Sequence, residues 1–102
     1  MSLEIFRDKG KAYLIINKQN ETKLTRTSSR IFDILHQNLN KPVKLVDLVN
    51  YVYDLNLKER DWFKVRSIDV HIHTKLKPFV NALNMDIHRD KGKSITLIKR
   101  NG

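Results

Sequence analysis

"VRSIDVHIHTKL", residues 65–76, places apolar side chains three and four apart, sets two histidines two apart and frames them with Arg66 and Lys75. Three readings compete for such a stretch: a metal site, an amphipathic helix packed on a core, or a helix built to lie against something acidic. Val65, Ile68, Ile72, Leu76, Phe79 and Leu83 extend the spacing into one apolar stripe, which predicts a helix over about 64–80. Pro78 falls inside that pattern. It lacks the amide that would bond back to Thr74, so a kink or the end of the regular helix is expected there.

At about 100° per residue, the stripe leaves Ser67, Val70, His71, Thr74, Lys77 and Asn81 on the opposite side. Arg66 and His73 flank one edge and Lys75 the other, while Asp69 leans toward the core edge. No carboxylate stands on the outermost line. Cations and hydroxyls of this kind suit phosphate oxygens, and Val or Thr suits a thymine methyl. The same face also fits an ordinary solvated surface. A metal is harder to accommodate, because His71 and His73 point about 200° apart on a helix, whereas zinc pairs need spacings of three or four. His36 and His88 are remote in sequence and there is no cysteine, so no metal ligand is assigned.

Outward from this helix, "KAYLIIN" (11–17) reads as a strand, "KQNE" (18–21) as a turn and "TKLT" (22–25) as a return strand, with "LEIF" as an earlier one. "TSSRIFDILHQNLNK" (27–41) has helical spacing through Ile31, Ile34, Leu35 and Leu39. Thr25, Thr27 or Ser28 is a candidate cap and Pro42 closes the run. "KLVDLVNYVYDL" (44–55) predicts a second helix burying Leu45, Leu48, Val49 and Val52. "NLKERDWFK" (56–64) is a charged connection carrying the single tryptophan, and "MDIHRDKGKSITLIKR" (85–100) reads as a hairpin around "RDKG". The expected fold class is α+β in one domain, 1–102, with strands in 1–26, a three-helix core in 27–83 and the hairpin in 85–100.

The 102 residues suffice for a single core, and a 40% hydrophobic content favours a folded chain. The absence of cysteine excludes disulfides, thiolate zinc sites and cysteine nucleophiles. No apolar run approaches the roughly 18 residues that span a bilayer, and no signal-peptide core is present, so a cytoplasmic protein without membrane attachment is expected. Twenty Lys and Arg against eleven Asp and Glu leave a net charge of +9. Residues 1–57 carry nine basic and six acidic side chains, 58–63 two of each, and 64–100 nine and three. The excess gathers around the opening stretch, and a polyanion is the partner such a balance predicts. There is no Gly-rich phosphate loop, activated nucleophile or convincing carboxylate pair. No catalytic residue or cofactor is assigned, and the chain is not expected to be an enzyme.

"VRSIDVHI" resembles the third-helix signature of the OmpR/PhoB-type winged-helix domain, the DNA-binding half of many bacterial response regulators, through Arg66, Ser67, Ile68, Asp69, Val70, His71 and Ile72. Leu24-Thr25 is similar to the family's entry to its first helix, "IFDILHQN" and "VKLVDLVNYVY" to its first two helices, and "HRDKGK" (88–93) to its wing through Arg89 and Gly92. The chain departs from the pattern at Ser28 and Ser29, at Lys44, at Lys93 and after Ile72.

The resemblance implies a winged helix-turn-helix with the third helix in the major groove, here without a receiver domain. Arg66, His71, Lys75 and Lys77 would neutralise phosphates; Ser67, Val70, His73 and Thr74 would read bases; Arg89, Lys91 and Lys93 would hold the minor groove or backbone. In the family, the loop before this helix often touches RNA polymerase, which makes Lys58, Arg60, Trp62 and Phe63 the candidate protein-interaction residues. At least one of the two aromatics is expected to plug the domain's own core instead.

The function expected is therefore a sequence-specific, double-stranded DNA-binding transcriptional regulator, with dimeric or tandem binding as a family habit. The alternative is a winged-helix module that docks on RNA polymerase, a sigma factor or another regulator. Non-specific architectural binding is a third reading.

Overall fold

The computed structural model describes residues 3–100; the ends of the expected 1–102 domain, residues 1–2 and 101–102, lie outside the described residues. The chain opens with β1 (Leu3–Asp8), β2 (Lys11–Asn17) and β3 (Thr22–Leu24), an antiparallel sheet in that order. Lys9 and Gly10 both have positive φ, 52° and 80°. Two such residues form the primed turn whose twist matches a tight hairpin, and Asp8 accordingly pairs with Lys11. The register shifts between Phe6 and Arg7, leaving Tyr13 unpaired as a β-bulge, so Ala12 and Ile15 on either side of it are both buried while Tyr13 is exposed.

Helix α1 (Arg26–Gln37) follows at once. Thr25 is its N-cap residue but makes no side-chain cap bond, so the capping expected of Thr25, Thr27 or Ser28 is not what starts it. Ser29 instead returns its hydroxyl to the Leu24 carbonyl at 2.7 Å. The helix also ends earlier than Pro42: Asn38 breaks the pattern, Asn40 has φ +65°, and its amide donates to Leu97 at 2.8 Å. The "PV" link forms β4 (Val43–Lys44), a short strand that the sequence reading treats only as extended chain.

Helix α2 (Leu45–Tyr53) buries the four residues its spacing predicts, Leu45, Leu48, Val49 and Val52. Asp54 ends it in the left-handed region. Beyond it, the Asn50 side chain both donates to and accepts from Leu57, each at 2.9 Å, and ties the following connection to the helix.

The opening stretch lies on a helical rod over 62–82, longer at both ends than the 64–80 expected. Its parts are α3 (Trp62–His71), a π-helical segment (Ile72–Leu76) and α4 (Lys77–Ala82). Asp61 caps α3, accepting from the amides of Phe63 at 3.0 Å and Lys64 at 3.3 Å, so the aromatics begin the helix rather than sit in the connection. Pro78 does not end the rod. Regular α-helix stops at His71, seven residues before it, and the wider π turn spans Thr74, whose carbonyl the proline cannot bond. The stripe Val65, Ile68, Ile72, Leu76, Phe79 and Leu83 is buried throughout, with Phe79 meeting Phe32 of α1 edge to face at 5.3 Å.

Last come β5 (Met85–Asp90) and β6 (Ser94–Lys99), an antiparallel hairpin turned at Lys91–Lys93 with Gly92 at φ +75°. Strand β6 is central in the second sheet, order β4-β6-β5, because Val43 pairs with Ile95. One apolar cluster joins the two small sheets to the helices, giving an α+β fold.

Candidate nucleic-acid interface

The rod over 62–82 meets its neighbours along both flanks, and those contacts decide which side chains stay free. On one flank the Tyr53 hydroxyl of α2 lies 3.0 Å from Ser67 Oγ, and His71 Nδ1 lies 3.0 Å from Ser28 Oγ of α1. Ser67 and His71 are therefore half-buried and turned toward α2 and α1, although both fall on the outer side of the helical wheel. Tertiary contacts close that side, which a single-helix wheel does not show.

On the other flank the hairpin reaches the rod. Arg89 Nη2 lies 2.8 Å from Asp69 Oδ1, and Arg89 Nη1 is 3.3 Å from His73 Nε2. The carboxylate oxygen sits off the N–H directions, so the Arg89–Asp69 contact is an ion pair rather than an aligned hydrogen bond. Arg89 thus fastens the hairpin to α3, and much of its charge is already matched by Asp69.

Between the flanks runs an open ridge: Phe63, Arg66, Val70 and Thr74 are exposed, with half-buried Lys77 beyond them. No carboxylate interrupts it. Thr74 donates its hydroxyl to the Val70 carbonyl at 2.7 Å, which restrains its rotamer while the side chain stays exposed. His73 is exposed beside Arg89, and Lys75 is exposed on the far edge of the rod.

The start of α3 overturns one expectation. Trp62 is 58% exposed and Phe63 86% exposed, so neither plugs the core. The core is complete without them because Val65 and Ile68 supply the buried positions of the first turns. Trp62 instead carries the Arg60 guanidinium over its ring at 4.9 Å, and Arg60 also donates to the Gly92 carbonyl at the hairpin turn. An open cleft of about 630 Å³ lies here, lined by Lys44, Lys58, Glu59, Arg60, Trp62 and Lys93 among others. Four cations against one carboxylate make it electropositive.

Lys44 is the member that sequence reasoning missed. Only the pairing of β4 with β6, together with the Leu45 amide donating to the Lys93 carbonyl at 3.1 Å, brings it beside the hairpin turn. A two-residue strand leaves no period to detect. Lys91 and Lys93 are exposed on the turn itself, and Lys58 on the connection. The hairpin joins ridge and cleft, meeting the rod through Arg89 and Asp69 and the cleft through Arg60 and Gly92, so ridge, turn and cleft lie side by side. Among the described residues no group of three His, Asp or Glu is placed to hold a metal ion, and no helix is long and apolar enough to cross a membrane.

No protein-family model matches the chain, and no curated protein sequence matches it.

Proposed function

We propose that the chain is a winged-helix protein of the OmpR/PhoB type that binds double-stranded DNA in a sequence-specific way and regulates transcription. The rod over 62–82 enters the major groove along its open ridge. The hairpin β5–β6 is the wing, and Lys91 and Lys93 at its turn meet the adjacent backbone or minor groove. The observation that carries this reading is the ridge itself: a helix-long line without a carboxylate, pinned beside a basic hairpin through Arg89 and Asp69.

The roles differ from those a helical wheel alone suggests. Arg66, Lys77, Lys91 and Lys93 are free to meet phosphates, joined by Lys44 and Lys58 around the cleft. Val70, His73 and Thr74 stand where base edges would be read. Ser67 and His71 support the helix from its packed flank, and Arg89 positions the wing.

Arg66→Glu is expected to weaken duplex binding about tenfold or more on every sequence, the scale of removing one charge-assisted hydrogen bond, with an unchanged melting temperature. Anisotropy titrations on unrelated duplexes check this. A variant that binds like the parent would remove the ridge from the interface.

Exposed Trp62 beside the cleft supports a second reading, a module that docks on RNA polymerase, a sigma factor or another regulator. On that reading Trp62→Ala abolishes capture of the partner, and Arg66→Glu does not weaken DNA binding.

A further inference from the structure

Phe63 and Val70 are apolar side chains that folding leaves in water, 86% and 55% exposed, on the same open ridge. Seven residues separate them, which on an α-helix is about 20° short of two full turns and about 10 Å along the axis. Base pairs stack about 3.4 Å apart, so that separation matches about three base-pair steps. Arg66 stands between them on the ridge.

The backbone beneath both side chains is held in place. Asp61 anchors the Phe63 amide at 3.0 Å, and the Val70 carbonyl accepts from Thr74 at 2.7 Å. Helical side chains lean toward the N-terminus, so Phe63 projects over the leading end of the rod. Neither residue lines the cleft that holds Trp62. An acidic peptide seated in that cleft would therefore account for Trp62 but leave the ridge unexplained. Isolated apolar groups alternating with a cation do not make a peptide groove. They do match the major groove, where the thymine 5-methyl is the apolar group on offer amid acceptors and phosphates.

We infer that Phe63 and Val70 are specificity-determining residues that each cover a thymine methyl group, so that the DNA preferred carries thymines about three base pairs apart. This rests on the proposal that the rod enters the major groove, and it moves Phe63 from the protein-interaction segment to the DNA-reading helix.

The test removes the methyls from the major-groove edge and leaves the base-pairing edge unchanged. A short A·T-rich duplex is made with thymine, or with uracil at every thymine position, and titrated with the full chain. Burying one methyl is worth about fourfold in affinity, so the thymine duplex should bind about fifteenfold more tightly. Phe63→Ala and Val70→Ala should each cut the preference to about fourfold, and the double variant should abolish it, with the salt dependence unchanged. Because both side chains are exposed, melting temperatures should stay at the parent value.

Equal binding of the two duplexes by the parent protein overturns the inference while leaving DNA binding intact, as does full preference in both single variants. If Phe63→Ala keeps the preference but loses binding to a Glu-rich peptide, the side chain belongs to a protein interface and the inference is wrong. If the parent binds neither duplex at low salt, the DNA reading itself fails, and the inference with it.

Discussion

Duplex DNA bound in 50 mM salt is expected to be held about a thousandfold more tightly than in 200 mM salt. The magnitude follows from counting the cations that are free to meet phosphate. Arg66 and Lys77 on the rod, Lys91 and Lys93 on the turn, and Lys44 and Lys58 around the cleft give room for about six contacts, each adding about −0.9 to the logarithmic salt slope. Arg60 is left out because Gly92 and Trp62 already hold it, and Arg89 because Asp69 already sits 2.8 Å from it. Anisotropy titrations across the salt range read the slope directly. Lys91→Ala should reduce it by about one and weaken all sequences alike. A slope near zero would mean that the positive surface does not meet a polyanion.

The second large effect concerns the scaffold that presents that surface. Asp33→Ala is expected to lower the free energy of unfolding by about 3 kcal/mol, a large share of the stability of an average small domain. Asp33 is 1% exposed on α1. It accepts a bidentate pair from Arg7 of β1 at 2.8 Å each, the Tyr51 hydroxyl of α2 at 2.6 Å and the Gln37 amide at 3.1 Å. One carboxylate thereby ties the first sheet to two helices, and truncating it leaves three donors unmatched. Asn at this position keeps the shape but not the charge, and one of its two ends is a donor facing donors.

The pH dependence has a definite sign. Burial alone would raise the Asp33 pKa, but hydrogen bonds from Arg7, Tyr51 and Gln37 outweigh it and hold the group below its ordinary value. A depressed folded-state pKa stabilises fully above the unfolded value, near 4, and that contribution is lost as pH falls through the folded pKa. The gap between the parent and Asp33→Ala in urea melts should therefore be widest near neutrality and narrow below about pH 4. A loss under about 1 kcal/mol at neutral pH, the size of an exposed ion pair, would show that the network does not hold the sheet to the helices.

Much of this architecture is legible in the residues, and the parts that are not share a cause. The β-rich run "KAYLIIN" declares a strand by composition, and the stripe from Val65 to Leu83 is long enough for its period to declare a helix. The start of α3 is hidden because the Asp61 cap is followed by two aromatics that then face water, so the first turn carries no apolar period. Pro78 reads as a kink or a stop, and the packing of Leu76 and Phe79 against the core holds the rod together through a π turn.

The candidate surface is legible only as a face of one helix. Arg66 and Val70 remain open as the wheel places them, whereas Ser67 and His71 are taken by Tyr53 and Ser28 from other helices. Lys44 joins through a two-residue strand. Asp33 reads as one more charge on an amphipathic helix; its partners lie 26, 18 and 4 residues away, and only the folded chain brings them to it.

The most direct test of sequence-specific recognition is a selection from random duplex DNA by the full chain at about 150 mM salt, followed by sequencing. A base-reading ridge predicts an enriched motif, as a direct repeat about one helical turn apart if the protein binds in tandem. Recovery of bulk DNA with no motif, or of no DNA at all, would contradict it.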